Sequence, residues 1–523
     1  MQSKLFFTFA CLLALTTLDA QVKKETTVTT TTIEPPNDAV INLKRPMRSI
    51  TQGSVTINGK TINYRAVAGT LVIKNNLDTP TVAMSYVAYF KEGENDHRPV
   101  AFVYNGGPGS ATFWLHMGAW GPQRVDLNDT ARTKAPFRTV NNNNSLLDVT
   151  DLVFIDAPGT GFGEVLTKEK GGAGDPKNFY GIDGDSQAFA DFIAEFVSEF
   201  NRWTAPKYLF GESYGTMRSA VLANVLQSQK NIELSGVILL SQILSYNNSS
   251  DRANLDPGDD QAYELILPSF AATAWYHNKL PNQPKNLEPF LREVEQFAMN
   301  DYALALNKGS MLDASTFNNI AERLHTYTGL PVEYIRKANL RVTGPQFEHE
   351  LLRDEDRITG RLDSRFSSFT YDPLGETAEF DPMSTYTGAG FTAAFNNYVR
   401  TQLNFGRGMI YKNTGPGVIG QWDFRHLVPS GNYSRAFFPN VMPDLARAMI
   451  YNPNLKVMLN MGYFDLGTPY FQGLYEMHHL PMPVSLQKNI EFDFYYSGHM
   501  VYLNPDAAKR LHDNVARFIS ETH

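Results

Sequence analysis

Ser213 stands in Gly211-Glu212-Ser213-Tyr214-Gly215, directly after the apolar run Tyr208-Leu209-Phe210 and before a helical apolar pattern. Glycines around a serine permit a tight, strained turn that lifts the hydroxyl clear of a sheet edge. A serine so presented is a nucleophile once a base removes its proton and an acid orients that base. Both partners occur downstream. Asp465 follows Gly462-Tyr463-Phe464, and His499 follows Ser497-Gly498. The order serine, aspartate, histidine is one of those in which such triads occur. The chemistry would be acyl transfer. Ser213 attacks an acyl carbon, His499 takes its proton and later donates it to the leaving group, and Asp465 holds the imidazole in the right tautomer.

These side chains need strands to carry them. Leu455 to Met461 reads as a buried strand ending just before Asp465, and Ile490 to Tyr496 alternates like a strand ending just before His499. In open α/β sheets the carboxyl ends of strands are where catalytic groups gather. No other histidine of the chain joins a preceding strand to a glycine turn so far downstream of Ser213. A strand leading into the serine motif and a helix leaving it describe the nucleophile elbow of an α/β-hydrolase. A further short strand, Val100 to Tyr104, leads into Asn105-Gly106-Gly107-Pro108-Gly109-Ser110. Glycines there let the backbone approach a substrate and aim N–H groups at a developing oxyanion. The backbone N–H of Tyr214, the residue after the nucleophile, supplies one such donor.

Taken in order, these motifs resemble the serine carboxypeptidase family. The matching residues are Asn105 to Gly109, Gly121-Pro122, Phe154 to Phe162, Gly211 to Gly215, Gly462 with Asp465, and Gly498-His499-Met500-Val501. The resemblance implies a mixed, mostly parallel sheet with helices on both faces and a mostly helical cap insertion. It assigns the second oxyanion donor to the N–H of Gly107. It also assigns reading of the substrate's terminal carboxylate to Asn105 and Glu212, and implies peptide substrates and no cofactor or metal. One position departs from the pattern. The family places a second Glu two residues before the later Gly-Pro, and this chain has Ala119 there. Without that like-charged neighbour, Glu212 is expected to release its proton at lower pH than in relatives having both. The segment Arg361-Leu362-Asp363-Ser364-Arg365-Phe366 looks like one in bacterial members. A functional role and a solvated charged turn are both open for it.

Residues 1–20, with Lys4 and an apolar stretch from Leu5 to Leu15, read as a signal peptide. Residues 21–40, rich in threonine and closed by Pro35-Pro36, read as a disordered spacer. The only cysteine, Cys11, lies within the signal segment, so the mature protein would have no disulfides. The expectation is an exported bacterial protein, periplasmic or secreted. A net charge of −8 over 523 residues, without long runs of one sign, gives no support for nucleic-acid or membrane-surface binding. No segment beyond the leader reaches the roughly 18 apolar residues of a membrane span. His478-His479 have no third ligand at a metal-binding spacing.

Because Ser213 and Asp465 must meet, the chain between them is expected to be largely an insertion. The organisation expected is a hydrolase core from 41–245 and 436–523, with a mostly helical cap from 246–435. Phe290, Leu291, Val294, Phe297 and Ala298 share one helical face, as do Phe317, Ile320, Ala321 and Leu324. Gly329 and Pro331 then end one helix and open the next. The function expected is C-terminal peptide hydrolysis. Two other classes stay open: a related serine hydrolase or acyltransferase using the same triad, and a non-catalytic binding protein on the same fold. Oligomeric state is not legible.

Overall fold

The computed structural model describes residues 42–523, except Asn95, Leu255 and 435–437. The expected signal peptide, the spacer and Cys11 lie outside the described residues. Ten strands form one sheet: β1 (Arg48–Ile57), β2 (Lys60–Lys74), β3 (Pro80–Lys91), β4 (Val100–Tyr104), β5 (Asp151–Ile155), β6 (Glu164–Val165), β7 (Lys207–Glu212), β8 (Gly236–Leu240), β9 (Lys456–Gly462) and β10 (Ile490–Tyr495). Their order is β1-β2-β3-β5-β4-β7-β8-β9-β10, with β6 beside β3. β1, β2 and β3 run antiparallel, and β3 meets β5 antiparallel. From β5 to β10 every pairing is parallel.

Burial explains the sequence patterns. β4, β5, β7 and β8 are buried at every residue, so β4 and β8 read as unbroken apolar runs, and β5 and β7 carry apolar centres with charged residues only at their ends. The outer half of β2 alternates instead. Along β4 the side chains divide between two cores, Phe102 and Tyr104 on one face, Ala101 and Val103 on the other. The first face is covered by α1 (Ile182–Glu199) and α2 (Tyr214–Gln229), and α3 (Gln261–Tyr276), α4 (Leu287–Phe297) and α5 (Ala314–Thr328), which pack on one another, extend the same core. The second face is covered by α6 (Pro382–Thr401) and α7 (Pro505–Thr522). The apolar stripe anticipated on α4 is buried, that on α5 is buried except for the half-buried Phe317, and Gly329 caps α5 at a φ of 70°. Pro331 is the N-cap of the short helix Val332–Lys337. Among the described residues no helix is long and apolar enough to cross a membrane.

The strand order reverses around β4. The chain leaves β4 for β5 on one side, then crosses by α1 to β7 on the other. The loops after β4 and β7 therefore leave adjacent strand ends at a topological switch point, where ligands of open α/β sheets bind.

Candidate active site

Ser213 sits between β7 and α2 with φ 61° and ψ −131°. A non-glycine residue in that region is strained, and such strain persists only where its surroundings enforce it. Here the Ser213 N–H donates to the Leu240 carbonyl at 3.0 Å. The glycines on either side remove the obstacle to the turn. A Cβ on Gly211 would collide with the Gly215 carbonyl and stand 2.5 Å from Ser219 Oγ.

The register of the sheet does the next step. Tyr104 of β4 lies opposite Gly211 of β7, so Asn105 and Glu212 emerge side by side. Asn105 Nδ2 donates to Glu212 Oε2 at 2.5 Å, and Asn105 Oδ1 accepts from the Leu115 N–H at 3.1 Å. Gly106 then lies directly on the elbow. A Cβ there would stand 2.6 Å from the Gly215 nitrogen and collide with the Tyr214 nitrogen. Gly107 has a φ of 106°. Among the described residues neither the Gly107 N–H nor the Tyr214 N–H has a protein acceptor.

Asp465 and His499 follow the ends of β9 and β10. Asp465 is fully buried. Its Oδ1 accepts from the N–H groups of Gly467 and Thr468, both at 2.9 Å. Its Oδ2 accepts from Thr468 Oγ1 at 2.6 Å and from His499 Nδ1 at 2.6 Å. The imidazole thereby presents Nε2 as the free nitrogen. The two loops pass in contact at Gly462, where a Cβ would collide with the Ser497 and Gly498 carbonyls. Ser213 and His499 line one cavity, but among the described residues Ser213 Oγ makes no hydrogen bond. Nucleophile–base bonds are often long before substrate tightens them.

That cavity measures about 440 Å³ and also holds Asn105, Gly107, Tyr214 and Glu212. All seven residues singled out in the sequence are thus brought together. Its apolar walls continue the two cores. Met383 and Met500 belong to one, Tyr214 to the other.

Two features of the site go beyond the sequence reading. Tyr502 donates to both oxygens of Glu212, at 3.2 and 3.1 Å. It sits on the short turn Val501–Leu503 just past His499, and nothing in its type or spacing marked it. Its ring packs on Gly118, beside the buried Ala119. Burial pushes Glu212 up to about 7, against the opposing pull of His499, Tyr502 and Asn105. Loss of the second carboxylate therefore does not leave Glu212 an ordinary acid. For His499 burial disfavours the cation, but Asp465 and then Glu212 outweigh it and raise the imidazole above its usual value.

The second feature is the segment Arg361 to Phe366. A solvated charged turn was one reading of it, and burial overturns that reading. Asp363 and Ser364 are fully buried, and Arg365 and Phe366 nearly so.

Residues 59–301 match the family model described as serine carboxypeptidase, a span that includes Ser213 and ends before Asp465 and His499. No curated protein matches the chain. Among solved structures it is similar to the prohormone-processing carboxypeptidase Kex1 of Saccharomyces cerevisiae. The identity is 16% and the TM-score 0.55, over 88% of this chain and 92% of that one. A lipase in its open form is 13% identical over 87% of this chain and 99% of its own, with a TM-score of 0.35. An esterase from Exiguobacterium antarcticum is 10% identical over 86% and 98%, with a TM-score of 0.33. The likeness to Kex1 shows the fold, and the elbow, the sheet order and the matched family model agree on it. The chain has the α/β-hydrolase fold, and its residues 59–301 match the serine carboxypeptidase family.

Proposed function

We propose that this protein removes C-terminal residues from peptides through an acyl-enzyme on Ser213, and that it does so after export from a bacterial cell. The observation that carries the reading is the pair Asn105 and Glu212, hydrogen-bonded to each other in the cavity that holds Ser213 and His499. A peptidase that reads a free C-terminus needs donors for a carboxylate. Asn105 Nδ2 has a second hydrogen to give, and Glu212 donates when protonated.

The reaction follows from these roles. His499 Nε2 takes the Ser213 proton as Oγ bonds to the scissile carbonyl carbon. The oxyanion meets the N–H groups of Gly107 and Tyr214, each worth about 3 to 4 kcal/mol of barrier. His499 returns the proton to the leaving amine as the C–N bond breaks. Water then attacks the acyl-enzyme, again giving its proton to His499, and Ser213 leaves reprotonated. Asp465 stays ionised and steadies the imidazolium.

The two titrating groups impose opposite demands. Binding a free carboxylate needs Glu212 protonated, hence a pH at or below about 7. Turnover needs His499 neutral. The groups are coupled, because Glu212 in its charged form raises His499. Protonating Glu212 removes that support and eases His499 toward neutrality, so the working state is favoured just on the acidic side of neutral.

The test compares an N-blocked dipeptide with its C-terminal amide and with a small ester. Release of the terminal residue from the free acid at mildly acidic pH, with the ester rate holding up better as pH rises, is expected. Equal rates on acid and amide, or identical pH profiles for acid and ester, would remove Asn105 and Glu212 from carboxylate recognition. For export, a mature N-terminus near residue 21 in the extracytoplasmic fraction is the expected result.

A further inference from the structure

The acid and base stand on separate loops, and a third loop holds both. It is Arg361 to Phe366, the turn of the hairpin that pairs Arg357–Thr359 with Ser367–Phe369. The Leu466 N–H donates to the Arg361 carbonyl and the Ser364 N–H to the Phe464 carbonyl, both at 2.9 Å. These bonds fall on the two residues that flank Asp465. On the other side the N–H of His499 itself donates to the Leu362 carbonyl at 2.7 Å. The turn closes on itself through Phe366 N–H to Asp363 carbonyl at 3.0 Å and Gly360 N–H to Phe366 carbonyl at 2.9 Å.

The turn is held rigid by an ion pair inside it. Arg365 Nε donates to Asp363 Oδ1 at 2.9 Å and its Nη2 to Oδ2 at 2.6 Å, with both side chains essentially out of solvent. The same guanidinium reaches Ser497 Oγ at 3.2 Å, two residues before His499, and Asp129 Oδ1 at 3.0 Å. Asp363 also packs on Gly498, where a Cβ would stand 2.5 Å from Asp363 Cβ. A bidentate fork between buried partners fixes relative position as well as charge.

We infer that Asp363 and Arg365 are positioning residues for the catalytic base: their pair locks the turn that sets the His499 loop against the Asp465 loop. Neither touches the reacting atoms. Their effect runs through the Nδ1–Oδ2 distance, and a misplacement of about 1 Å at such a site costs on the order of a hundredfold in rate. The inference rests on Ser213, His499 and Asp465 acting as the triad.

The experiment uses the full-length protein with Arg365→Lys and the double variant Asp363→Asn/Arg365→Gln, because deleting one partner alone would strand a buried charge. The substrate is a small ester, so Glu212 does not enter through carboxylate binding. The charged groups acting on His499 are Asp465, Glu212 and Arg361. Loosened contact with Asp465 removes the largest influence that raises the imidazole, so its titration should fall. We expect kcat to drop about 10- to 100-fold in the double variant, with KM changed less than about threefold. The acidic limb of the pH profile should move to lower pH, and the downfield proton resonance of the His499–Asp465 bond should weaken. Arg365→Lys should recover part of each. Folded variants with unchanged kcat and an unmoved acidic limb overturn the inference, even if they melt earlier. If the pair variants do not fold, the same profile is read on Ser364→Ala, which deletes the hydroxyl's bonds to the Phe464 carbonyl and to Thr273 Oγ1 and leaves the ion pair intact. A smaller shift in the same direction supports the inference and an unmoved limb overturns it. Labelling of the parent protein by a fluorophosphonate separates the two failures. No label on Ser213 sinks the triad itself, whereas label with unmoved limbs sinks only the positioning role.

Discussion

The two halves of the site are built by different means. The half with Ser213, Asn105 and Glu212 comes from two neighbouring parallel strands, and β-sheet register alone brings its members together. The half with Asp465 and His499 also comes from neighbouring strands, β9 and β10. Yet its functional residues lie on loops that run three to four residues beyond the strand ends, past the reach of the ladder. That half depends on a turn contributed from elsewhere in the chain. A nucleophile can be positioned by backbone strain, whereas an acid and a base on two loops need a common anchor.

Each half can be broken separately. The largest effect belongs to Ser213→Ala, which should abolish phosphonate labelling and lower kcat by about four to six orders of magnitude, measured on the ester. Full labelling of that variant would place the nucleophile outside the elbow. Next come two glycines at equivalent seams. Gly106→Ala presses on the elbow backbone and Gly498→Ala presses on Asp363, each with a contact that something must yield to. Both should cost about 100-fold or more in ester turnover, since small displacements of reacting groups are expensive. They should differ in kind. Gly106→Ala should leave the acidic limb where it is, and Gly498→Ala should move it down. Matching pH profiles for the two would erase the distinction between the halves.

Smaller effects sharpen the comparison within the first half. Above about 7 the parent loses the protonated form of Glu212, so its kcat/KM on a free-acid peptide should fall by about tenfold per pH unit. Glu212→Gln donates at every pH, so its alkaline limb should flatten on the free acid and stay unchanged on the ester. A retained alkaline limb in that variant would assign it to another group. The smallest effect is expected from Tyr502→Phe. Its hydroxyl bonds to Glu212 hold that carboxyl down. Their loss should move the alkaline limb to higher pH with only a few-fold change in rate. A downward movement would mean that Tyr502 serves the protonated acid instead.

Legibility followed the same division. Asn105, Gly107, Glu212, Ser213 and Tyr214 were readable because glycine patterns and strand runs sit in unbroken sequence with them. Asp465 and His499 were readable as strand-end residues in the right order. The anchor that fixes them was not, since its bonds run through main-chain groups that any sequence possesses. Arg361 to Phe366 resembled a segment of bacterial members, but its charges were equally compatible with solvent, so no role could be read from it. What distinguishes the segment is that Asp363 and Arg365 satisfy each other inside the protein, a pairing that depends on a hairpin too short to announce itself. Tyr502 was invisible for a related reason, because its value lies in the direction of one hydroxyl.

The origin of the anchoring turn bears on how separable the parts of this enzyme are. Arg361 to Phe366 lies between Ser213 and Asp465 in the chain, in the stretch that also supplies the helices α3, α4 and α5. That stretch is therefore not an exchangeable module. A minimised enzyme with 246–435 excised, or a chimera carrying a relative's version of it, would keep both strands that bear Asp465 and His499 but lose the brace between them. Grafting for new specificity has to transplant around the turn, leaving the hairpin Arg357–Phe369 in place.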